Sequence, residues 1–427
     1  MHLQMLKSLK VLSVKDAKHV FTQSVNESEA EWQLSAVKVL SVSTCEDTGK
    51  GLSQLLLNLP KLSTMSILGC NKITRMGVAA PPVLHQPTTH VPSLATWAGS
   101  TIEHAQTRQI EELEETGNVA DGLLLLPGHL SGSLRELRIY YCRELSLLRS
   151  SLPVLPNCPR AGQDGEGGGL QALRSLQTLE VNSCHVYFSA YKKTSFSSTT
   201  CFSFPSSLNE LKLCDVDLET LQPLANLTSL TQLNIYACDD LRSDGLWPLI
   251  TQGQLRELEV MLAPRFFIGT DIVQSPKDED QVRLLCHSSK LQDLTTDDVT
   301  GFLTKPICTV LSSSLTRLLL HRGNEDCEDE VLSCFTTEQE NALQHLTSLQ
   351  VLIFESFFQK QCLPSGLHKL PNLQMLEICN CELVSRLPSD GLPNPLQTLH
   401  VEDCCNEELI QECRKFVKDN PRIKLII

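Results

Sequence analysis

The sequence predicts an α/β repeat solenoid. Short parallel strands would line a concave face, with irregular or short-helical segments on the convex side. Three observations carry this expectation. The 427 residues are too many for one ordinary compact core. Hydrophobic residues make up 41% of the chain but aromatic ones only 5%, so the core must be aliphatic. One short apolar frame also recurs along the whole length, which marks a repeat architecture.

The frame is L-x-x-L-x-L-x-x-C, with apolar substitutions. It starts at Leu9, Val37, Leu62, Leu134, Leu176, Leu208, Leu230, Leu255, Leu291, Leu315, Leu349, Leu373 and Leu396. Where copies are closest they lie 22 to 25 residues apart, the period of leucine-rich repeats and their horseshoe-shaped stacks. Clear copies are LRELRIYYC, LQTLEVNSC, LTQLNIYAC and LQMLEICNC; LQDLTTDDV at Leu291 is poor. In L-x-L the two apolar side chains are two residues apart, so both point to one face of a strand. The flanking Leu and Cys turn inward where the chain bends. One such coil cannot bury its apolar face alone, whereas stacked coils build a continuous core. The ninth position is Cys at Cys45, Cys70, Cys142, Cys184, Cys238, Cys381 and Cys404. A thiol is small, tolerates burial and donates weakly to a carbonyl. Regular spacing along the stack is expected to keep these thiols from pairing with one another.

Taken in order, residues 1–75 read as N-terminal repeats. Residue 1 sits almost inside a repeat, so an upstream partner domain is expected. Residues 76–133 read as an irregular insertion with a degenerate repeat near Leu94 or Leu123. This insertion holds the Pro/His-rich APPVLHQPTTHVPSL and the acidic QIEELEETG. Central repeats span 134–263, although NCPRAGQDGEGGG within them has the composition of a disordered loop. A second irregular insertion covers 264–290 and includes SPKDEDQVRL. C-terminal repeats run over 291–405, broken by GNEDCEDEV. Residues 406–427 read as a cap: Leu409, Ile410, Cys413, Phe416 and Val417 share one helical face, Pro421 stops the helix, and IKLII forms a last strand.

Composition excludes several function classes. The net charge of −14 argues against nonspecific binding to nucleic acid or to an anionic membrane, which needs a basic surface. No apolar run approaches the roughly 20 residues of a membrane span, and the first residues lack a signal-peptide layout. The 18 cysteines are therefore expected in a reducing, cytoplasmic compartment. There the glycosylation patterns at Asn26 and Asn226 would be silent.

Chemical motifs are weak. STCEDTGKG (43–51) has a Gly-Lys pair, but a phosphate loop needs Gly where Thr44 stands and Ser or Thr where Gly51 stands. A bend after the strand ending near Val42 is the plainer reading. The Gly-rich GQDGEGGG is acidic and precedes no strong helix, so it reads as a loop. CNC at 379–381 and the pair Cys404–Cys405 raise metal binding, yet alternation sets Cys379 opposite Cys381 and no His pair matches a zinc pattern. Twelve histidines are scattered and no G-x-S-x-G elbow appears. The expectation is no catalytic site, no cofactor and no metal. The acidic runs Glu111–Glu115 and Glu325–Glu330 read as solvated loops or as contacts for a basic partner.

What remains is the outward strand face. From the fourth to the eighth frame its central column reads Arg138, Glu180, Lys212, Asn234 and Glu259. The next column reads Tyr140, Asn182, Cys214, Tyr236 and Met261, with Tyr141 beside it. Tyrosines, Met and Arg among mixed charges have the makeup of a protein-binding surface. An ordinary polar sheet face is the alternative.

Longer stretches carry a resemblance. LTSLTQLNIYACDDLRSDGLWPLITQGQLRELEV, LTTDDVTGFLTKPICTVLSSSLTRLLLHRGNEDCEDE, ALQHLTSLQVLIFESF, LPSGLHKLPNLQMLEICNCELVSRLPSDGLPNPLQTLHVEDC and CRKFVKDNPRIKLII resemble the leucine-rich-repeat region of plant intracellular nucleotide-binding, leucine-rich-repeat (NLR) disease resistance proteins of the grass type. The resemblance is strongest from about Leu208 onward. It implies a recognition arm in the defence response, sensing pathogen effectors or a guarded host protein. It also implies contact with an upstream nucleotide-binding domain if the chain is part of a full receptor. The Walker-type loop and MHD-like motif of that domain are absent here, so nucleotide binding does not carry over. A second class stays open: LPKLSTMSILGCNKITRMGV and CDDLRSDGLWPL resemble the cysteine-containing repeats of ubiquitin-ligase substrate receptors, without a visible F-box. A stand-alone adaptor or decoy is a further alternative.

Overall fold

A computed structural model of the chain describes residues 8–16, 34–46, 48–79, 122–147, 169–188, 204–224, 227–251, 253–268, 289–321, 334–357, 362–404 and 406–427. The Pro/His-rich stretch, the acidic runs, both asparagine acceptor sites, Leu94, Cys405 and nearly all of the Gly-rich loop lie outside these residues. The chain divides into two compact units. One comprises residues 1–199, 203–208 and 215–217, the other 200–202, 209–214 and 218–427.

The first unit contains β1 (Val11–Lys15), β2 (Val39–Ser43), β3 (Thr64–Leu68), β4 (Arg75–Val78), β5 (Leu123–Leu126), β6 (Glu136–Tyr140), β7 (Ser146–Leu147) and β8 (Thr178–Asn182). Here β1, β2, β3, β6 and β8 pair side by side, all parallel. The second unit contains β9 (Glu210–Cys214), β10 (Gln232–Tyr236), β11 (Glu257–Met261), β12 (Asp293–Thr296), β13 (Arg317–His321), β14 (Val351–Glu355), β15 (Met375–Cys379), β16 (Thr398–Glu402) and β17 (Lys424–Ile426). These nine pair in sequence order, again all parallel. Each of the thirteen frames thus opens a strand two residues after its first residue. The last strand, β17, arises from IKLII.

Burial follows the frame. In the copy at Leu373, Leu373, Leu376, Ile378 and Cys381 are all fully buried. The copy at Leu134 behaves the same way through Leu137, Ile139 and Cys142. The poor copy at Leu291 survives because its buried polar residues, Thr296 and Asp298, are satisfied. Thr296 is fully buried, and its hydroxyl accepts the Asp298 N–H at 3.1 Å.

The turn out of the strand has a feature that the apolar frame alone does not announce. All ten non-glycine residues with positive φ among the described residues directly follow a frame strand, and Gly69 occupies the same place after β3. This left-handed residue turns the chain so that the next side chain, often Cys, faces the core. Its own N–H stays in the ladder: Thr44 N donates to the Leu68 carbonyl at 2.7 Å, and Asn380 N to the Glu402 carbonyl at 2.9 Å. The following thiol then donates back to the strand end, as Cys381 Sγ does to the Cys379 carbonyl at 3.1 Å and Cys184 Sγ to the Asn182 carbonyl at 3.2 Å.

The return side holds short helices: α1 (Gly49–Leu57), α2 (Leu246–Thr251), α3 (Val299–Phe302), α4 (Lys305–Leu311), α5 (Thr337–Leu343) and α6 (Glu407–Asp419). Where the Gly-Lys pair was expected to mark only a bend, α1 begins. Gly49 is required there, because a Cβ would stand 2.3 Å from the backbone of Leu123. That contact reflects a further departure from the simple stack. Leu123–Leu126 forms a strand outside the frame sheet: β5 pairs with β4, which also pairs with β7, in a separate parallel sheet packed against α1. At the other end, Asn406 caps α6 by accepting the Glu408 and Leu409 N–H groups, and Leu409 and Cys413 are buried.

Candidate functional site

Strand alternation sends every second frame residue outward, and parallel pairing without slippage aligns those residues into columns. In the first unit Arg138 stands opposite Glu180, and Tyr140 opposite Asn182. In the second unit Lys212, Asn234 and Glu259 are successive partners, as are Cys214, Tyr236 and Met261. The sequence-chosen residues therefore occupy two outward patches, one on each unit.

The first patch is electrostatically self-paired. Arg138 Nε donates to Glu136 Oε1 at 2.8 Å and lies 3.7 Å from Glu180 Oε2. Partial burial and a hydrogen bond to Glu180 push the Tyr140 hydroxyl up to about 12, so it is neutral and donates. Tyr141 is the left-handed residue of this rung and is 54% exposed.

The second patch is more open. Tyr236 is 47% exposed. The Lys212 ammonium lies 2.8 Å from Glu210 Oε1, and the Asn234 amide donates to Glu259. A shallow cleft of about 190 Å³ lies over β10 to β13, lined by Gln232, Asn234, Glu257, Glu259, Asp293 and Arg317. Arg317 straddles both Asp293 oxygens at 3.3 Å.

Two outward groups lie beyond the eighth frame and were missed by a reading that stopped there. Leu319 and Ile353 are register partners, as are Val351 and Met375, so β13 to β15 carry an outward apolar strip. Ile353 is only 5% exposed although it stands at an outward strand position. Next to this strip Glu377 and Cys379 on β15 face His400 and Glu402 on β16. The signal for both groups was present: the same column positions, read on to the thirteenth frame.

The cysteines fall into two chemical classes. Burial pushes the Cys70 thiol up to about 12, and burial together with a hydrogen bond to Cys184 pushes Cys142 up as well. Cys184 and Cys404 shift down instead, chiefly through hydrogen bonds from Cys142 and Cys381, and none of the seven frame cysteines is disulfide-bonded. They are not isolated from one another, because neighbouring rungs bring sulfur into hydrogen-bonding range, as at Cys142 and Cys184. Away from the frame, Cys334 and Cys362 form a disulfide with Cα atoms 5.2 Å apart. The sequence reading, centred on the frame and a reducing compartment, contained no such bridge.

Among the described residues no helix is long and apolar enough to cross a membrane. No family model matches the chain, and no curated protein matches it. Among solved structures, an internalin of Listeria monocytogenes is similar at 16% identity and a TM-score of 0.41, covering 99% of this chain and 88% of that one. A leucine-rich-repeat protein of Leptospira interrogans is similar at 16% identity and a TM-score of 0.39, covering 100% and 91%. The assignment rests on the chain's own frame, strands and register, which make this an α/β leucine-rich-repeat protein.

Proposed function

We propose that the chain is a non-catalytic protein-recognition module that works through the outward sheet faces of its two units. The observation that carries this reading is the exposure of Tyr141 and Tyr236 beside columns of pre-paired charged side chains. Exposed aromatic rings on a rigid sheet supply contact area at low entropic cost, and they are typical anchors of interfaces. The finer reading rests on the resemblance of the repeats. In it the chain is the leucine-rich-repeat arm of a cytoplasmic plant immune receptor, and its partner is a pathogen effector or a guarded host protein. An upstream nucleotide-binding domain would be a further contact.

The test has two stages. Proximity labelling with the chain expressed in plant cells identifies partners, and titration calorimetry then compares wild type with Tyr141→Ala and Tyr236→Ala. Each substitution is expected to weaken binding by at least about tenfold, the loss of one interface anchor. Unchanged affinity in both variants rejects these faces as the interface. Recovery of a Skp1-like adaptor as the dominant partner would replace the immune reading with the ubiquitin-ligase one.

A further inference from the structure

The quartet on β15 and β16 is built differently from the rest of the outward face. Glu377 is the register partner of His400, and Cys379 of Glu402. Two residues two apart on each of two adjacent strands make a rectangle of side chains, about 4.8 Å across the strands and about 7 Å along them. Their donor atoms converge further than their backbones do. His400 Nδ1 is 3.0 Å from Glu377 Oε1, Cys379 Sγ is 3.3 Å from the same oxygen, and His400 Nε2 is 3.7 Å from Glu402 Oε2. Glu377, His400 and Glu402 each offer a ligand atom within 4.8 Å of the others.

We propose that Glu377, Cys379, His400 and Glu402 form a binding site for a borderline divalent metal ion of the zinc type. Zinc takes thiolate, imidazole and carboxylate ligands at about 2.0–2.3 Å in a tetrahedron. Ligands at that radius stand roughly 3.3–3.7 Å from one another. Glu377, His400 and Glu402 already lie within 4.8 Å of one another, with His400 ligating through a single nitrogen, and Cys379, 3.3 Å from Glu377 Oε1 but outside that group of three, joins by rotation of its side chain. The donor set selects among metals. One sulfur and one imidazole nitrogen beside two carboxylates disfavour calcium and magnesium, which demand six or more oxygens.

Two further observations support the site. Cys379 stands outside the thiol ladder: the seven frame cysteines face the core, whereas this one faces outward among carboxylates. Its strand neighbours in register are Glu355 and Glu402, so a thiol, an imidazole and three carboxylates crowd one spot. A cation relieves that repulsion. The site is also reachable, since Glu402 is 59% exposed while Glu377 and His400 are each only 21% exposed and held in place by neighbours. The sequence reading set CNC aside because Cys379 and Cys381 face opposite ways. They do, but the ligand partners of Cys379 come from the next rung, 21 and 23 residues on.

The test uses the full chain, reduced and stripped with a chelator, then titrated with cobalt(II) as a spectroscopic probe for zinc. The expected result is one equivalent bound, with a sulfur-to-cobalt charge-transfer band and the intense visible bands of a tetrahedral ion. Zinc should displace that ion. Cys379→Ser and His400→Gln change outward side chains only, and circular dichroism checks that each retains the fold. In Cys379→Ser the charge-transfer band is lost, and in both variants zinc affinity falls by about a hundredfold or more. Absence of the band in wild type, or zinc affinity unchanged by either substitution, overturns the assignment.

Discussion

At the scale of single residues, the left-handed position that follows eleven of the frame strands is the most distinctive feature. Among the described residues it is filled by Asp, Asn, Ser, Thr, Tyr, Ala and Leu, and by glycine only at Gly69. A side chain with a Cβ costs about 1–2 kcal/mol in this conformation. Asn and Asp lower that cost through local hydrogen bonds, but Ala237 (φ 51°) has no such means. Ala237→Gly is therefore expected to stabilise the second unit by roughly 0.5 kcal/mol. That figure is the relieved strain less the entropy that glycine adds to the unfolded chain. A higher urea midpoint checks it, and a lower one would mean that the backbone here is unstrained. No apolar periodicity signals this position, since it lies between the last strand residue and the Cys. What marks it in the sequence is a faint excess of Asp and Asn, which becomes legible only once the strands are placed.

At the scale of elements, α3 shows how a poor repeat copy is held. Asp298 caps the helix by accepting the Gly301 N–H at 2.8 Å on one oxygen and the Phe267 N–H at 2.7 Å on the other. It thereby ties β12 to the segment that follows β11. Asp298 is 2% exposed, and burial pushes its carboxyl up to about 6 despite both donors, with the neighbouring Asp297 charge adding to the rise. The folded value lies above the unfolded one, so folding favours the protonated form. The associated stability is fully present below about pH 4 and is lost as pH rises through about 6. Wild type should therefore gain stability relative to Asp298→Asn as pH falls through that window. Parallel thermal melts of the two proteins between pH 7 and pH 4 measure this, and a difference independent of pH would contradict it. The sequence showed LQDLTTDDV only as a weak frame, because the cap depends on Phe267, which is thirty-one residues away.

At the scale of the whole molecule, each unit is a stack in which every rung contacts chiefly its neighbours. Removing one core side chain opens a gap that two rungs share. Leu376 is fully buried on β15 between Leu352 and Leu399, and all three residues are in register. Leu376→Ala should cost about 2–5 kcal/mol, lost transfer energy plus the cavity left behind. It should lower the unfolding transition of the second unit, because stacks of this kind transmit stability between nearest neighbours. Hydrogen exchange resolved by segment checks both size and place. Protection unchanged across β14 to β16 would show that the rungs are not coupled.

The sequence by itself determined the strands. L-x-x-L-x-L at thirteen starts specifies which side chains must be buried, and a period of two leaves no freedom about which face they take. It also determined the outward columns in principle, since inward and outward positions alternate. Only the tertiary structure decided which outward residues meet. Glu377 and His400 are 23 residues apart in the chain but adjacent across two strands, and Leu123–Leu126 joins β4 rather than the frame sheet. The reason is physical. Burial of an aliphatic core is written locally, in the spacing of apolar residues. Contacts between rungs depend on how much chain each return segment uses, and here that length varies from one copy to the next.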